Sequence, residues 1–516
     1  MFFGGDRMSH YSKVKSVTMQ GLKAIEILVE VDLDKKAILQ DVDIVGLGDT
    51  VIKESKKRIK SALKNSGFSF PNGRITVNLA PSDVKKEGSY LDLPIAVGIL
   101  KANGIINSST DNYIFFGELG LDGSVRKIRG VLPVLLQLSG KHAAAVKFIL
   151  PTENTHEAST VEGIEIYTVK DIRELVLMLN GDIQKSPLSY VEPTFEATDS
   201  EDFSDIKGQE FAKRAAEIAA AGGHNLLLRG SPGCGKTMLA RRMPGILPSF
   251  TLEEAMETTI IYSVAGLLNG KGLVTKRPFR APHHTASTTS IIGGGSDAKP
   301  GEISLAHNGI LFMDEFPEFR RDVLEALRQP LEDGEVTISR AKISATYPAR
   351  FMLVAAQNPC PCGWYGDKTH ECTCSWHEIK RYNKKTSGPI EDRIDIFVDM
   401  PRLEFSEYSS VKSGESTKTI RERVERARKR QNLRLKKYKI FSNSQLNHRQ
   451  LEEIVDLDSE GKKLLEAAVD KLKLTGRSID KILKVALTIS DIEEEKHVFP
   501  RHLAEAIQYR KRELSF

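Results

Sequence analysis

One short segment combines three glycines, a lysine and a threonine at the spacing that a nucleoside triphosphate requires. It follows the apolar run Leu226–Leu228 and precedes a helical pattern, so a strand, a tight loop and a helix are predicted. Loop glycines let backbone N–H groups turn toward phosphate oxygens, and the helix N-terminus adds a positive dipole end. The predicted ATP-binding residues are Gly230, Ser231, Pro232, Gly233, Cys234, Gly235, Lys236 and Thr237.

A second segment, about 80 residues further along, predicts hydrolysis of the nucleotide. The apolar run Ile310–Met313 suits a buried strand, and two carboxylates follow it directly. Asp314 is placed to order Mg²⁺, together with the Thr237 hydroxyl, and Glu315 is placed to polarise the attacking water. A third apolar strand leads to Asn358, which we expect to position that water against the terminal phosphate.

Length and charge limit the possible classes of protein. A chain of 516 residues predicts about three domains, and no apolar run approaches the length of a membrane span. The first residues lack a cleavable apolar segment, so a soluble cytoplasmic protein without a membrane partner is expected. Net charge is only +5, yet residues 418–439 hold eleven Lys and Arg against two Glu. This run predicts either a solvated helix face or a nucleic-acid contact.

Composition shifts divide the chain into four parts. Residues 1–180 mix alternating strand patterns with an amphipathic helix at Thr50–Asn65, and the polar, acidic residues 181–203 form a linker. A nucleotide-binding domain over 204–401 and a helical region over 402–516 follow.

Four cysteines lie close together within the loop 358–376. Two Cys-x-Cys pairs, nine residues apart, suit tetrahedral thiolate coordination of a structural Zn²⁺. Free or redox-active thiols are the alternative, and His370 or His377 could replace one thiolate. The predicted zinc ligands are Cys360, Cys362, Cys372 and Cys374.

Several longer motifs resemble one known family, the magnesium-chelatase-like AAA+ ATPases of the YifB/ComM type. Besides the two ATP motifs, they are Phe203-Ser-Asp-Ile-Lys-Gly-Gln-Glu210, Arg280-Ala-Pro-His-His-Thr-Ala-Ser287 and Ser387-Gly-Pro-Ile-Glu-Asp-Arg-Ile-Asp395. The resemblance implies an α/β multidomain protein, with a parallel-sheet AAA+ core, a C-terminal helical lid and an α+β N-terminal domain. It also implies a homo-hexameric ring with ATP bound between subunits. ComM proteins of this family act as DNA helicases in branch migration during natural transformation.

The same resemblance assigns roles to two arginines. Arg393 resembles the arginine finger that one subunit points at the neighbour's terminal phosphate, where a planar guanidinium spreads transition-state charge. A local ion pair with Asp392 or Asp395 is the alternative. Arg477 resembles the lid arginine that senses the nucleotide, although an exposed arginine at a helix start would look the same.

A hairpin pattern over residues 335–347 is the predicted DNA contact. It occupies the place where related ring ATPases carry a hairpin that projects into the central pore. Arg340 and Lys342 would then face the phosphate backbone of single-stranded or branched DNA without reading its sequence. An ordinary edge hairpin with solvated charges is the alternative. His283 and His284 are adjacent in a second insertion, so on a strand they would point apart and make a poor metal pair.

The N-terminal domain resembles the Lon proteolytic domain, whose fold also occurs in a ribosomal protein. Tyr90 occupies the nucleophile's place, Ser89 is one step off, and the later segment at 128–134 lacks the lysine that would act as base. A serine without its base is a poor nucleophile. We therefore predict a non-proteolytic module for assembly or for binding a protein partner.

Two function classes follow from the sequence. The first is a DNA-stimulated ring ATPase that acts as a helicase or branch-migration motor. The second is a magnesium-chelatase-type ATPase that remodels a protein partner.

Overall fold

The computed structural model describes residues 10–37, 40–46, 50–84, 86, 90–142, 146–195, 201–268, 272–295, 298–340, 343–367, 369–386, 390–402 and 414–510. Ser89, Lys342 and the side chain of Arg340 lie outside this part, so the predicted DNA contacts are not described. The chain forms two compact units. The first contains residues 1–194, 255–274 and 339–345, and the second contains 195–254, 275–338 and 346–516.

The first unit contains a mixed seven-stranded sheet of order β3-β4-β2-β1-β5-β8-β9. Its strands are β1 (Tyr11–Gln20), β2 (Lys23–Asp34), β3 (Asp41–Val45), β4 (Arg74–Ala80), β5 (Tyr113–Phe115), β8 (Lys147–Pro151) and β9 (Glu165–Val169), with a small ribbon of β6 (Glu118–Leu119) and β7 (Val125–Arg126). Its helices are α1 (Thr50–Asn65), α2 (Asp92–Ala102), α3 (Val131–His142), α4 (Thr155–Ala158) and α5 (Ile172–Asn180). The predicted helix at 50–65 is confirmed. The likeness to Lon stays a prediction.

The second unit is built on a five-stranded parallel sheet of order β11-β14-β17-β10-β18. These strands are β10 (Leu226–Arg229), β11 (Phe279–Arg280), β14 (Ile310–Met313), β17 (Met352–Gln357) and β18 (Ile396–Asp399). Every residue of β14 and β17 is buried, as expected for strands covered on both faces. The predicted parallel α/β core is confirmed, and its carboxyl edge carries the loops that follow β10, β14 and β17.

Helices and short strands connect these strands along the chain. The helices up to β18 are α6 (Glu210–Gly222), α7 (Lys236–Arg242), α8 (Leu252–Ala265), α9 (Thr288–Ile292), α10 (Glu302–Leu305), α11 (Arg321–Ala326), α12 (Arg328–Asp333) and α13 (Trp376–Lys384). Residues 255–265 of α8 belong to the first unit. Two small strand pairs are β12 (Gly293–Gly294) with β13 (Lys299–Pro300), and β15 (Glu335–Arg340) with β16 (Ile343–Pro348). The second pair is the predicted hairpin, in which the Thr337 and Thr346 hydroxyl oxygens lie 3.1 Å apart.

The C-terminal region is helical, as predicted. It contains α14 (Thr417–Leu435), α15 (His448–Ile454), α16 (Ser459–Leu472), α17 (Gly476–Ile492) and α18 (Pro500–Gln508). Buried side chains of α14, α17 and α18 join the same core as α6 and the sheet. Among the described residues, no helix is both long and apolar enough to span a membrane.

Candidate nucleotide-hydrolysis site

The loop between β10 and α7 takes its shape from glycine. Gly235 has a φ of 98°, a left-handed conformation that L side chains rarely adopt, and it forms the N-cap of α7. A Cβ at Gly230 would lie 2.3 Å from the Met400 carbonyl oxygen, so only glycine fits beside the end of β18. The tight turn predicted from the glycine spacing is therefore present at the carboxyl edge of the sheet.

The Lys236 ammonium is buried inside this loop. It donates to the carbonyl oxygens of Gly230 at 2.6 Å and Ser231 at 3.0 Å, and to Asn358 Oδ1 at 3.1 Å. Burial lowers the pKa of Lys236. A phosphate that entered the loop would therefore meet a partly desolvated cation, with the end of β17 directly beside it.

Thr237 and Asp314 meet at the position expected for Mg²⁺. The Thr237 hydroxyl donates to Asp314 Oδ2 at 2.8 Å, and the other carboxylate oxygen accepts from the Glu315 N–H at 2.9 Å. A hydroxyl and a carboxylate are hard oxygen donors, and Mg²⁺ binds few such protein ligands while keeping several waters. The two side chains therefore fit this cation.

Glu315 lies beside a histidine that the sequence did not connect with it. Its backbone is left-handed, with φ of 51°, and its carboxylate lies 2.9 Å from His284 Nδ1. His284 and His283 lie in the loop after β11, and their ring centroids are 4.2 Å apart. The expectation that these two rings point apart is wrong, because residues 281–287 form a loop instead of a strand.

Arg393 precedes β18 and forms an ion pair with Glu332 at the end of α12. Burial, reinforced by the positive charges of Arg477 and Arg328, lowers the pKa of Arg393. Its carbonyl oxygen accepts from Asn225 Nδ2 at 2.8 Å, which fixes the backbone beside the start of β10. This intramolecular ion pair is with Glu332, a residue that sequence reasoning did not consider, and it is not the pair with Asp392 or Asp395 that formed the alternative.

Arg393 and Arg477 line one cavity of about 580 Å³ in the second unit. The cavity also contains Asn225, so it lies at the amino edge of the sheet, opposite the phosphate-binding loop. Arg477 is exposed in the first turn of α17. The structure therefore brings the two predicted arginines together and places both away from the loop of their own subunit.

Lys481, one helical turn after Arg477, supports the Arg393 segment. Its ammonium donates to the carbonyl oxygens of Asp392 and Ile394, and it lies 3.6 Å from the Asp395 carboxylate. Burial lowers the pKa of Lys481 to about 8. Although burial alone would raise the pKa of Asp395, Lys481 and His224 hold it below its usual range. Sequence reasoning missed Lys481, although its i+4 spacing from Arg477 placed both on one helix face.

The four loop cysteines converge. The Cys360 sulfur lies 3.3 Å from that of Cys362 and 3.7 Å from that of Cys372, and all four sulfurs lie within 4.8 Å of one another. Tetrahedral Zn²⁺ with Zn–S bonds of about 2.3 Å holds its sulfurs about 3.8 Å apart, so the donor set fits zinc. His370 stacks on Trp364 instead, with ring centroids 4.1 Å apart, and it is not part of the group.

The basic run at 418–439 forms mainly intramolecular contacts. On α14, Arg423 pairs with Glu217 and Glu415, and Arg434 pairs with the buried Asp491. Arg428 donates to the carbonyl oxygens of Ala220 and Ala221 at the end of α6. These arginines attach α14 to the core, so the run is more than a solvated face and offers fewer charges to a nucleic acid.

The fold and the site together define a class of protein. When the five parallel strands are numbered by their order in the chain, they lie across the sheet in the order 2-3-4-1-5. The phosphate-binding loop follows strand 1, and the Asp-Glu pair follows strand 3. A lysine, a threonine and two carboxylates meet at that edge, as nucleotide hydrolysis requires. The second unit is an ATPase core of the AAA+ type.

Comparisons with known proteins agree with this class. Family models match at residues 202–408 (Magnesium chelatase, subunit ChlI), 29–154 (Subunit ChlI of Mg-chelatase) and 414–510 (Magnesium chelatase, subunit ChlI C-terminal). The chain is 43% identical over 505 residues to Competence protein ComM of Haemophilus influenzae, covering 96% of this chain and 97% of that one. It is 41% identical over 496 residues to YifB of Escherichia coli, covering 95% of each chain.

The likeness to a magnesium-chelatase subunit is more distant. The 67 kDa subunit of Chlorobaculum parvum is 27% identical over 161 residues, which cover 30% of this chain and 23% of that one. The full-length matches decide the assignment: the chain belongs to the ComM/YifB family of magnesium-chelatase-like AAA+ ATPases. Membership implies ATP and Mg²⁺ as ligands.

Proposed function

We propose that this protein is an ATP-hydrolysing ring motor that acts on DNA, as a helicase or branch-migration enzyme in recombination or natural transformation. The observation that carries the proposal is the full-length likeness, at 43% identity, to a protein named for competence. ATP hydrolysis, which drives such a motor, is assigned to Lys236, Thr237, Asp314 and Glu315.

Hydrolysis is assigned to groups at the carboxyl edge of the sheet. Lys236 would leave its loop carbonyls to bind the outer phosphates, and Thr237 and Asp314 are the residues that would hold Mg²⁺, whose charge would offset that of the phosphates. Glu315 leaves His284 to accept the proton of the attacking water, while Asn358 orients that water. In the structure Lys236 donates to Asn358, Thr237 donates to Asp314, and Glu315 lies beside His284.

Arg393 and Arg477 are assigned to the nucleotide of a neighbouring subunit. Asn225, which holds the Arg393 backbone, and Gly230 are separated along β10 by about 16 Å, given a rise of about 3.3 Å per residue. That distance exceeds the reach of an arginine side chain, so Arg393 is assigned to a phosphate outside its own subunit, and Arg477, which lines the same cavity, is assigned with it. Because hydrolysis then needs two subunits, a closed homo-oligomer, a hexamer by resemblance, follows.

DNA is assigned to the hairpin of β15 and β16. In the sequence Arg340 is the last residue of β15 and Lys342 precedes the first residue of β16, and two such cations can bind phosphates without reading bases. The N-terminal unit is assigned to assembly or to a protein partner, without peptidase activity. Zn²⁺ bound by Cys360, Cys362, Cys372 and Cys374 would brace the loop that begins beside Asn358.

A second candidate function is remodelling of a protein partner by a chelatase-type motor. The three chelatase family models that match this chain favour it, although the likeness to the 67 kDa chelatase subunit covers only 30% of the chain. Both functions use the same ATP site, so only the acceptor distinguishes them.

Strand displacement tests the proposal. The purified chain is incubated with Mg²⁺, ATP and a fluorescently labelled forked or four-way DNA, and product strands are measured with time. ATP-dependent displacement that Glu315→Gln abolishes is expected. If DNA is bound but never displaced or migrated in the presence of ATP turnover, the motor function is wrong.

A further inference from the structure

Both tryptophans of the chain belong to the cysteine-rich segment. Trp364 lies between the two cysteine pairs and is stacked on His370. Trp376 is the first residue of α13 and is 46% exposed, with its ring centroid 6.5 Å from that of Tyr365. An exposed indole beside a metal-type loop is a large apolar surface that a ligand can cover.

Helix α13 is amphipathic, and its exposed face is basic. Ile379 and Tyr382 are buried on one side. The opposite side carries five exposed residues, which span an arc of about 140° at 100° per residue. These five residues form the α13 surface: Trp376, His377, Lys380, Arg381 and Lys384.

The α13 surface carries three cations, while the helix has one acidic residue, Glu378, which also interacts with Arg381 and His377. Glu378 accepts from the backbone N–H and the hydroxyl of Ser375, both at 2.8 Å, in a capping box at the start of the helix. The following Lys385 lies outside this arc and is 3.2 Å from Glu318. Lys380, Arg381 and Lys384 thus share one exposed helix face with the Trp376 indole.

This combination fits single-stranded nucleic acid. Aromatic side chains stack on bases of any identity, and lysine and arginine bind the backbone phosphates. We propose that the α13 surface is a binding site for single-stranded DNA, with a base stacked on Trp376 and phosphates bound by Lys380, Arg381 and Lys384. This site is separate from the hairpin of β15 and β16, and the inference rests on the proposed DNA function.

Helix α13 and the cysteine loop before it contact the residues of the ATP site. Asn383 of α13 donates to the Pro359 carbonyl oxygen at 3.2 Å, and the preceding Asn358 bonds to Lys236. A Cβ at Gly363 would lie 2.8 Å from the Pro232 side chain, so the cysteine loop packs directly on the phosphate-binding loop. The cysteine loop therefore connects the α13 surface to the phosphate-binding loop, so DNA bound to this surface can change the rate of ATP hydrolysis.

Binding of labelled oligodeoxythymidylate to the full chain, followed by anisotropy over a range of salt, tests the inference. Trp376→Ala is expected to weaken binding about tenfold, and Trp376→Phe to restore most of it, because stacking needs an aromatic ring. Lys380→Ala with Arg381→Ala is expected to lower the salt slope by about 1.4, at about 0.7 per phosphate contact on a single strand. The matched control is Lys462→Ala with Lys463→Ala, two adjacent exposed lysines on α16, which should leave both values unchanged.

Quenching of intrinsic fluorescence is an independent readout. Oligodeoxythymidylate should quench Trp364→Phe protein, in which Trp376 is the remaining tryptophan, and should not quench Trp376→Phe protein. Thermal melting verifies that each variant is folded. Wild-type affinity and salt slope in the α13 variants, with no quenching through Trp376, would overturn the inference while leaving the proposed DNA function intact. Failure of the wild-type chain to bind the oligonucleotide would overturn both.

Discussion

Arg393 forms an ion pair with Glu332 of the same subunit. Glu332 lies on α12, which leads through Gly334 into the first strand of the hairpin. If Arg393 serves a neighbouring subunit, the phosphate there must displace this carboxylate. In that case the ion pair would keep the arginine from acting until a neighbouring subunit binds, and it connects the arginine to the helix that precedes the proposed DNA contact.

Removing the Glu332 charge should release Arg393. Glu332→Gln is expected to raise the ATPase rate without DNA about fivefold, because an ion pair with one exposed and one largely buried partner contributes on the order of 1 kcal/mol. The matched control is Asp333→Asn, which removes the same charge from the next position of the same helix. Steady-state phosphate release measures both variants. A rate for Glu332→Gln at or below that of the control would contradict the holding role.

Mixing two inactive variants tests catalysis across a subunit interface. Arg393→Ala and Glu315→Gln should each lower turnover by about a thousandfold, the usual contribution of an arginine finger in the first case. In mixed rings, the intact active site of an Arg393→Ala subunit can meet the intact Arg393 of a Glu315→Gln subunit. Activity should therefore reappear on mixing and peak near equal amounts. Additive, near-zero rates at every ratio would place Arg393 in its own subunit's chemistry or outside it.

Metal content tests the cysteine cluster. The purified chain should contain one Zn²⁺, and Cys362→Ser with Cys374→Ser should contain none, because two thiolates cannot complete the tetrahedral set. Cys234→Ala removes the cysteine outside the cluster and should retain the metal. Elemental analysis of the three proteins decides this, and a wild-type chain free of zinc after purification without chelator would leave the cluster as free thiols.

The hairpin prediction concerns Arg340 and Lys342. Replacing both by alanine should weaken binding of single-stranded DNA equally across sequences and lower the salt slope by about 1.4. Anisotropy with oligonucleotides of different composition measures both effects, with Lys462→Ala and Lys463→Ala as the charge-matched control. Unequal loss among sequences would indicate base recognition, and no loss would move the DNA contact away from the hairpin.

Local chemistry explains which parts of the site could be predicted from sequence. The phosphate-binding loop and the Asp314-Glu315 pair are readable because one ligand imposes residue types on a short segment. The pairs Glu332–Arg393 and His284–Glu315 join residues far apart in the chain, and no local pattern indicates them. The buried strands were predictable from apolar runs, and the parallel core was implied by the family resemblance.

The role of the basic run at 418–439 could not be predicted from the sequence. The number of charges in this run is evident from the sequence. Composition, however, cannot distinguish an arginine that binds phosphate from one that caps a neighbouring helix. Arg428 does the latter and is buried against α6, where burial lowers its pKa to about 10. Only the packing of α14 on the core separates these two uses.

The central claim is that DNA stimulates ATP hydrolysis by this protein. The most direct test is the steady-state ATPase rate with and without single-stranded and forked DNA. Glu315→Gln is the blank. The account predicts stimulation of tenfold or more, equivalent to about 1.4 kcal/mol off the limiting barrier. A substantial rate that DNA leaves unchanged at low and moderate salt would contradict it and would favour a protein substrate.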